Sequence, residues 1–181
     1  CMAPGGLLLA NMMAEQLSVG PGERVLDLGC GRGRSSVFLA SRYGVEVVSL
    51  DLWVSAAERR QSALLASVGG RITPLQGDIA RGLPAGLGDF DAIFCMQSFH
   101  CFGSKASVVR YLASLLRPEG RICIAQGCFR EEPDPLPALF QETDGWRAEY
   151  EKYHSPRWWG NQFQTAGPFD VEVAREVPDG D

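Results

Sequence analysis

Three glycines at alternate positions, Gly29, Gly31 and Gly33, follow directly on an apolar run that ends around an acid, Val25-Leu26-Asp27-Leu28. Behind them, Ser35-Ser36-Val37-Phe38-Leu39-Ala40 reads as the opening of a helix. A strand that turns through glycines into a helix leaves bare backbone N–H groups and a helix N-terminus facing outward, where a ligand can come close. Glycine suits such a bend because a Cβ obstructs both the turn and the approach. A plain tight turn that serves only strand–helix packing is the competing reading. The next apolar run, Val45-Glu46-Val47-Val48-Ser49-Leu50, closes on a second acid, Asp51. Strand, helix and strand form a βαβ unit, whose two strands are expected to be parallel.

The dinucleotide fingerprint G-x-G-x-x-G requires its third glycine where this chain has Arg34, which disfavours a nicotinamide-dependent reductase. The pattern Asp27-x-Gly29-x-Gly31-x-Gly33 instead resembles motif I of the class I S-adenosylmethionine-dependent methyltransferases. Asp51 matches that family's acid at the end of the second strand. Gly77-Asp78-Ile79 is similar to its next motif, and Leu116-Arg117-Pro118-Glu119-Gly120 to the turn that feeds its fifth strand. The resemblance spans about residues 20 to 126 and weakens beyond.

The resemblance implies a doubly wound α/β fold: a mostly parallel Rossmann-like sheet of order 3-2-1-4-5, helices on both faces, and an antiparallel edge strand. It also implies S-adenosyl-L-methionine as methyl donor and S-adenosyl-L-homocysteine as product. On this reading Asp27, Gly29, Gly31 and Gly33 form the cofactor loop. Asp51 accepts from the ribose hydroxyls, with Leu52 and Trp53 beside the adenine. Asp78 meets the adenine amino group, which a carboxylate suits because it only accepts; Ile79 packs on the ring. Helix capping for Asp51, a turn role for Asp78 and plain packing for Trp53 are the bland alternatives.

The remaining strands come from the apolar runs at 71–76, 91–96 and 121–125. In an open α/β sheet, ligands gather beyond the carboxyl ends of the strands. That rule points Gly29, Asp51, Asp78 and Gln97 at one crevice, with Cys95 at the end of the fourth strand. His100 follows, one of two histidines in the chain. A neutral imidazole there can take a proton from an incoming nucleophile. The other histidine, His154, precedes Ser155-Pro156, an N-cap and first helical position, and then Trp158-Trp159. His100 and His154 are the catalytic candidates. His100, Trp158 and Trp159 are expected to meet the acceptor, against the simpler view that the histidine caps a loop and the tryptophans cover a sheet edge. Cys95, His100 and Cys101 match no zinc spacing, so no metal is expected.

One domain is expected over residues 1–181: an N-terminal helix to residue 19, a cofactor core over 20–126, and an acceptor cover over 127–181. The apolar face of the N-terminal helix reads as a cover for the core; the family resemblance implies the alternative that Met2 to Leu9 closes over the cofactor. A single helix is expected over Ser55–Val68, and further helices over Ala138–Lys152 and Pro156–Gln164. The alternation in Phe169-Asp170-Val171-Glu172-Val173-Ala174 reads as the edge strand. A net charge of −5 without basic runs speaks against nucleic acid and for a small-molecule acceptor. So does the absence, after the fourth strand, of the Asn/Asp-Pro-Pro-aromatic box typical of base-modifying relatives. No apolar run is long enough for a membrane partner, and no signal peptide is evident. Six scattered cysteines without a C-x-x-C pair point to reduced thiols and a cytoplasmic location. The chain starts on Cys1, as a fragment or trimmed chain would, and its oligomeric state is not legible. The expected function is methyl transfer to a small molecule; the alternative is a protein that binds the cofactor without transferring its methyl group.

Overall fold

The computed structural model describes residues 5–84, 86–135, 137–141 and 152–177. The chain divides into two units, one of residues 1–99 with 115–126 and the other of 100–114 with 127–181.

The first unit is a parallel sheet. Its strands are β1 (Arg24–Leu28), β2 (Glu46–Asp51), β3 (Ile72–Gln76), β4 (Phe90–Met96) and β5 (Leu116–Ala125). They lie in the order β3-β2-β1-β4-β5, as expected. Leu26 of β1 stands opposite Val48 on one side and Ile93 on the other. The chain enters the sheet at its centre, builds outward to β3, then crosses back to β4. That reversal beside β1 is the switch point where an open α/β sheet forms its crevice. Val25, Leu26, Ile93 and Phe94 are fully buried, as strands covered on both faces require.

Helix α1 (Gly6–Leu17) buries Ala10, Met13, Ala14 and Leu17, a three-to-four-residue stripe, against the sheet. Helix α2 (Arg34–Tyr43) packs Leu39 and Ala40 into the same core and stops at Gly44, whose φ of +70° is the left-handed close of a helix. The Pro118-Glu119-Gly120 turn sits inside β5. Gly120 is obligatory there, since a Cβ would stand 2.8 Å from the Arg117 carbonyl oxygen.

The single helix expected over Ser55–Val68 is two short ones, α3 (Ala56–Arg60) and α4 (Ala63–Ala66). Ser62 breaks it: its hydroxyl accepts from the Leu64 N–H and begins a second helix, as serine does when it competes with the helical ladder. Ser55 caps α3 in the same way, through the Glu58 N–H.

The second unit contains α5 (Ala106–Ser114), α6 (Ala138–Gln141) and α7 (Pro156–Ala166). α5 packs on α7, and the Gln162 side chain donates to the Ser104 carbonyl at 2.7 Å. Ser155 caps α7 through the Trp158 N–H with Pro156 in the first turn, as its sequence indicates. The antiparallel edge strand expected at Phe169–Ala174 is not formed; all the strands among the described residues are parallel. The alternating side chains lie along α7 instead. Phe169 meets Phe163 edge-on at 5.5 Å, and Gly160 leaves room for Ala174 and Val171. The rest of the helix expected over Ala138–Lys152, residues 142–151, lies outside the described residues, as do Met2 to Pro4 of the implied cofactor closure.

Candidate functional site

The carboxyl ends of β1, β2, β3 and β4 are tied to one another. The N–H groups of Gly29 and Cys30 both donate to the Leu50 carbonyl, at 2.9 and 3.1 Å. The Gly31 N–H donates to Asp51 Oδ2 at 2.8 Å. Asp51 Oδ1 accepts from the N–H groups of Trp53 and Val54, and its carbonyl accepts from the Gly77 N–H at 3.0 Å. Ser98 donates to the Leu28 carbonyl at 2.9 Å. Gly29, Asp51, Asp78 and Gln97 are thus brought to one edge of the sheet, as the strand order requires.

The glycine bend has a distinct inside and outside. Gly29, Gly31 and Gly33 have φ of +73°, +54° and +80°, the left-handed region that side chains avoid. A Cβ on Gly31 would meet nothing within 4 Å, so the bend opens there onto free space. A Cβ on Gly33 would press on Leu65 Cδ1 at 3.1 Å, so that glycine faces inward. Gly33→Ala is expected to cost about 1–2 kcal/mol of stability from its backbone conformation alone. Urea unfolding measures it, and an unchanged midpoint would remove the strain argument.

Below the bend lies Asp27, 1% exposed, its Oδ2 accepting from the hydroxyls of Ser35 at 2.6 Å and Ser36 at 2.5 Å. It anchors the start of α2 beneath the loop, and its carboxylate is closed off from the ligand side where the family resemblance places it. Burial lifts its pKa to about 6, against the two serine hydrogen bonds and the nearby Arg59 charge, which pull it down. The unfolded carboxyl titrates near 3.8, so between about 3.8 and about 6 the folded chain holds this proton more tightly. Asp27's contribution to stability is therefore complete below about 3.8 and lost as pH rises through about 6. Asp27→Asn keeps an acceptor for the serines and does not titrate. The variant is expected to gain about 2–3 kcal/mol over the parent at about pH 8, an advantage that fades toward pH 4. Urea unfolding at the two pH values checks it; an equal difference at both contradicts it.

Two other residues expected at the cofactor surface turn inward. Ile79 is buried in the short 3-10 turn Ile79–Arg81. Cys95 is fully buried in β4, its sulfur 3.2 Å from the Ser98 hydroxyl. Asp78 is half-buried; it caps the turn through the Ala80 N–H and pairs with Arg81 at 3.6 Å. Gln97 is exposed at the end of β4 with φ of +57°, a strained conformation of the kind that gathers at ligand sites. Leu52 and Trp53 are 44% and 73% exposed, an apolar surface directly beside Asp51.

Arg59 was not legible as part of this edge. Its guanidinium, 1% exposed, lies under the glycine bend and donates from Nη1 to Cys30 Sγ, the Ser49 carbonyl and Ser49 Oγ. Nη2 donates to the carbonyls of Leu75 and Val54. The signal was Ser49, a polar side chain in the middle of the apolar run that becomes β2.

The second unit carries the other expected residues in one aromatic cluster. His100 stacks on Tyr153 with ring centres 5.2 Å apart. The neighbouring His154 lies flat on Trp158 at 3.5 Å and meets the edge of Trp159 at 5.8 Å. Its Nδ1 is 3.0 Å from Glu132 Oε2, and the other oxygen of Glu132 accepts from the Ser155 N–H. Burial works against the Glu132 charge, but these hydrogen bonds and the histidine outweigh it and hold the carboxyl below its ordinary range.

A five-stranded parallel sheet of order β3-β2-β1-β4-β5, with a glycine bend braced by the acid of the next strand, defines a Rossmann-like methyltransferase fold. A methyltransferase-domain family model matches residues 25–120, and the chain belongs to that family. Among its relatives is the 27-O-demethylrifamycin SV methyltransferase of Amycolatopsis mediterranei, 31% identical over 70% of this chain and 46% of its own. The solved methyltransferase of Thiobacillus denitrificans in complex with S-adenosyl-L-homocysteine superposes with a TM-score of 0.65 at 22% identity, over 87% of this chain and 62% of that one. The [4+2]-cyclase SpnF superposes with a TM-score of 0.71 at 21% identity, over 90% and 57%. The chain spans less than half the length of the curated relatives it matches, 46% of that rifamycin enzyme and 34% of a wheat phosphoethanolamine N-methyltransferase.

Proposed function

We propose that this chain binds S-adenosyl-L-methionine at the carboxyl edge of its sheet and directs the methyl group to a small-molecule acceptor. One observation carries the reading: four strand ends, cross-tied by hydrogen bonds, present a glycine bend open at Gly31 next to a braced carboxylate at Asp51. The residues fit the group. Gly29, Gly31 and Gly33 offer backbone without side chains. Asp51 has three amide donors on its two oxygens, and a carboxylate has about four acceptor positions, so one remains for a ribose hydroxyl. Leu52 and Trp53 supply an apolar flank for adenine, Asp78 an acceptor for its amino group, and Gln97 a polar group at the mouth of β4. When bound, the cofactor supplies a methyl group already activated on a positively charged sulfur.

The protein's part is then to orient an acceptor lone pair, which alone is worth several kcal/mol of barrier. The cluster of His100, His154, Trp158 and Trp159 takes that role, with an imidazole to receive a proton and apolar rings to hold a carbon skeleton. The acidic surface supports a small molecule over nucleic acid as acceptor. Six cysteines scattered along the chain without a C-x-x-C pair support a reducing, cytoplasmic setting. Calorimetric titration with both cofactor forms, followed by labelled-methyl transfer over a metabolite panel, tests the reading. Binding together with transfer is expected. Binding with no transfer on any acceptor favours the non-transferring alternative, and no binding overturns the cofactor site.

A further inference from the structure

Gln126 follows directly on β5, whose last residue, Ala125, stands opposite Met96 of β4. The Gln97 N–H donates to the Ala125 carbonyl at 2.6 Å, so the ends of β4 and β5 are tied together like the other strand ends. Both polar atoms of the Gln126 side chain, Nε2 and Oε1, are closed off from solvent, and neither finds a hydrogen-bond partner among the described residues. The residue as a whole is only half-buried, so its exposure lies on its other atoms. That reverses the usual arrangement, in which a long polar side chain hides its stem and keeps its head in water.

A carboxamide carries two N–H donors and an oxygen with two lone pairs. Hiding all of them unpaired costs free energy that an apolar side chain of the same shape does not. The other orphaned atoms of the first unit are lesser cases. Arg59 and Arg121 each leave Nε unpaired, but their remaining guanidinium nitrogens hold partners. An amide left wholly unpaired, at the edge of the sheet where ligands gather, fits a ligand that supplies the missing partners.

Which ligand follows from its place. β5 lies two strands from β1, about 10 Å at the spacing of paired strands, on the side away from β2 and β3. An adenosyl group over β1, β2 and β3 leaves that end of the edge to the methyl acceptor. Resting on the reading above, we propose that Gln126 is a specificity-determining residue, whose carboxamide pairs with a neutral acceptor molecule that presents a donor and an acceptor side by side, as a carboxamide or lactam does. Its NH2 donates to the ligand's carbonyl, and its oxygen accepts from the ligand's N–H. Rotation about its own side-chain bonds swings the head to meet the ligand without a shift of β5. A carboxylate has no donor for the Gln126 oxygen, and an ammonium group has no acceptor for its NH2, so each leaves half of the amide unpaired.

Benzamide is the probe, with benzoate and benzylamine as its one-sided counterparts. In the full chain saturated with S-adenosyl-L-homocysteine, benzamide is expected to shift the side-chain 15N–H2 resonances of Gln126, identified by their absence from Gln126→Met. Benzoate and benzylamine should leave them in place. Gln126→Met keeps the length of the side chain and removes the amide. Its benzamide dissociation constant should rise on the order of tenfold, with S-adenosyl-L-homocysteine affinity within about twofold of the parent. Without ligand its urea midpoint should stand above the parent's, because an unpaired amide is gone; an amide that serves the fold through water gives a lower one. Gln126→Glu keeps the shape but only accepts, and should lose benzamide to the same degree. A lowered midpoint in Gln126→Met, resonances that benzamide does not move, or equal shifts from all three probes overturns the proposal. Failure of the parent to bind S-adenosyl-L-homocysteine would instead strike the reading on which it rests, and calorimetry reports that separately.

Discussion

Arg59→Leu is expected to destabilise the fold by about 3–5 kcal/mol, the range for removing one side of a buried charged network. The guanidinium serves the Cys30 sulfur on the glycine bend, Ser49 in β2, and the carbonyls of Val54 and Leu75 on either side of it. Leucine fills part of the volume but leaves those acceptors buried, and each orphaned polar group costs about 1–3 kcal/mol. The lost cation also leaves Asp27 with burial and less to oppose it. For a chain of this size the midpoint should drop by about 10 °C, read by calorimetry. Arg59→Lys should recover only part, since an ammonium lacks the planar fork that reaches several acceptors. A fall of under about 1 kcal/mol in the leucine variant would mean the network contributes no net stability.

Asp51→Ala is expected to weaken S-adenosyl-L-homocysteine binding by about 1–3 kcal/mol, roughly fivefold to over a hundredfold, the order for hydrogen bonds to a charged group. Two effects combine. The proposed ribose acceptor is gone. The Gly31 N–H also loses its partner, so the bend no longer stands braced against the end of β2. Asp51→Asn separates them: its single carbonyl oxygen can serve the bend or the Trp53 and Val54 amides, but not all three donors. The asparagine variant should fall between parent and alanine in both affinity and stability. An unchanged dissociation constant in Asp51→Ala would show that this carboxylate holds no ligand.

The sheet was legible because its signals are local. The runs at 25–28, 46–51, 72–76 and 90–96 are apolar and end in turn residues, and the glycine bend gives the crossover. Strand order followed from the family resemblance, and the convergence of Gly29, Asp51, Asp78 and Gln97 followed from strand order. What the sequence did not disclose depends on partners far along the chain. Ser62 breaks a helix that its neighbours would continue. Phe169–Ala174 has the alternation of a strand, but Phe163 and Gly160 of α7 offer its side chains a better surface than a sheet edge. The inward turns of Asp27, Ile79 and Cys95 are set by which face each residue occupies, and a motif match carries no face. Arg59 and Glu132 escaped notice for a related reason: each works through a partner, and only folding reveals which.

The most direct measurement is a crystal structure of this chain with S-adenosyl-L-homocysteine. The account predicts the adenosyl group at the carboxyl ends of β1, β2 and β3, its ribose against Asp51 and its adenine beside Leu52 and Trp53. Hollows also open at the amino ends of the strands, one lined by Arg24, Glu46, Arg71 and Thr73. The ligand seated there, or lying away from Gly31 and Asp51, would contradict the account.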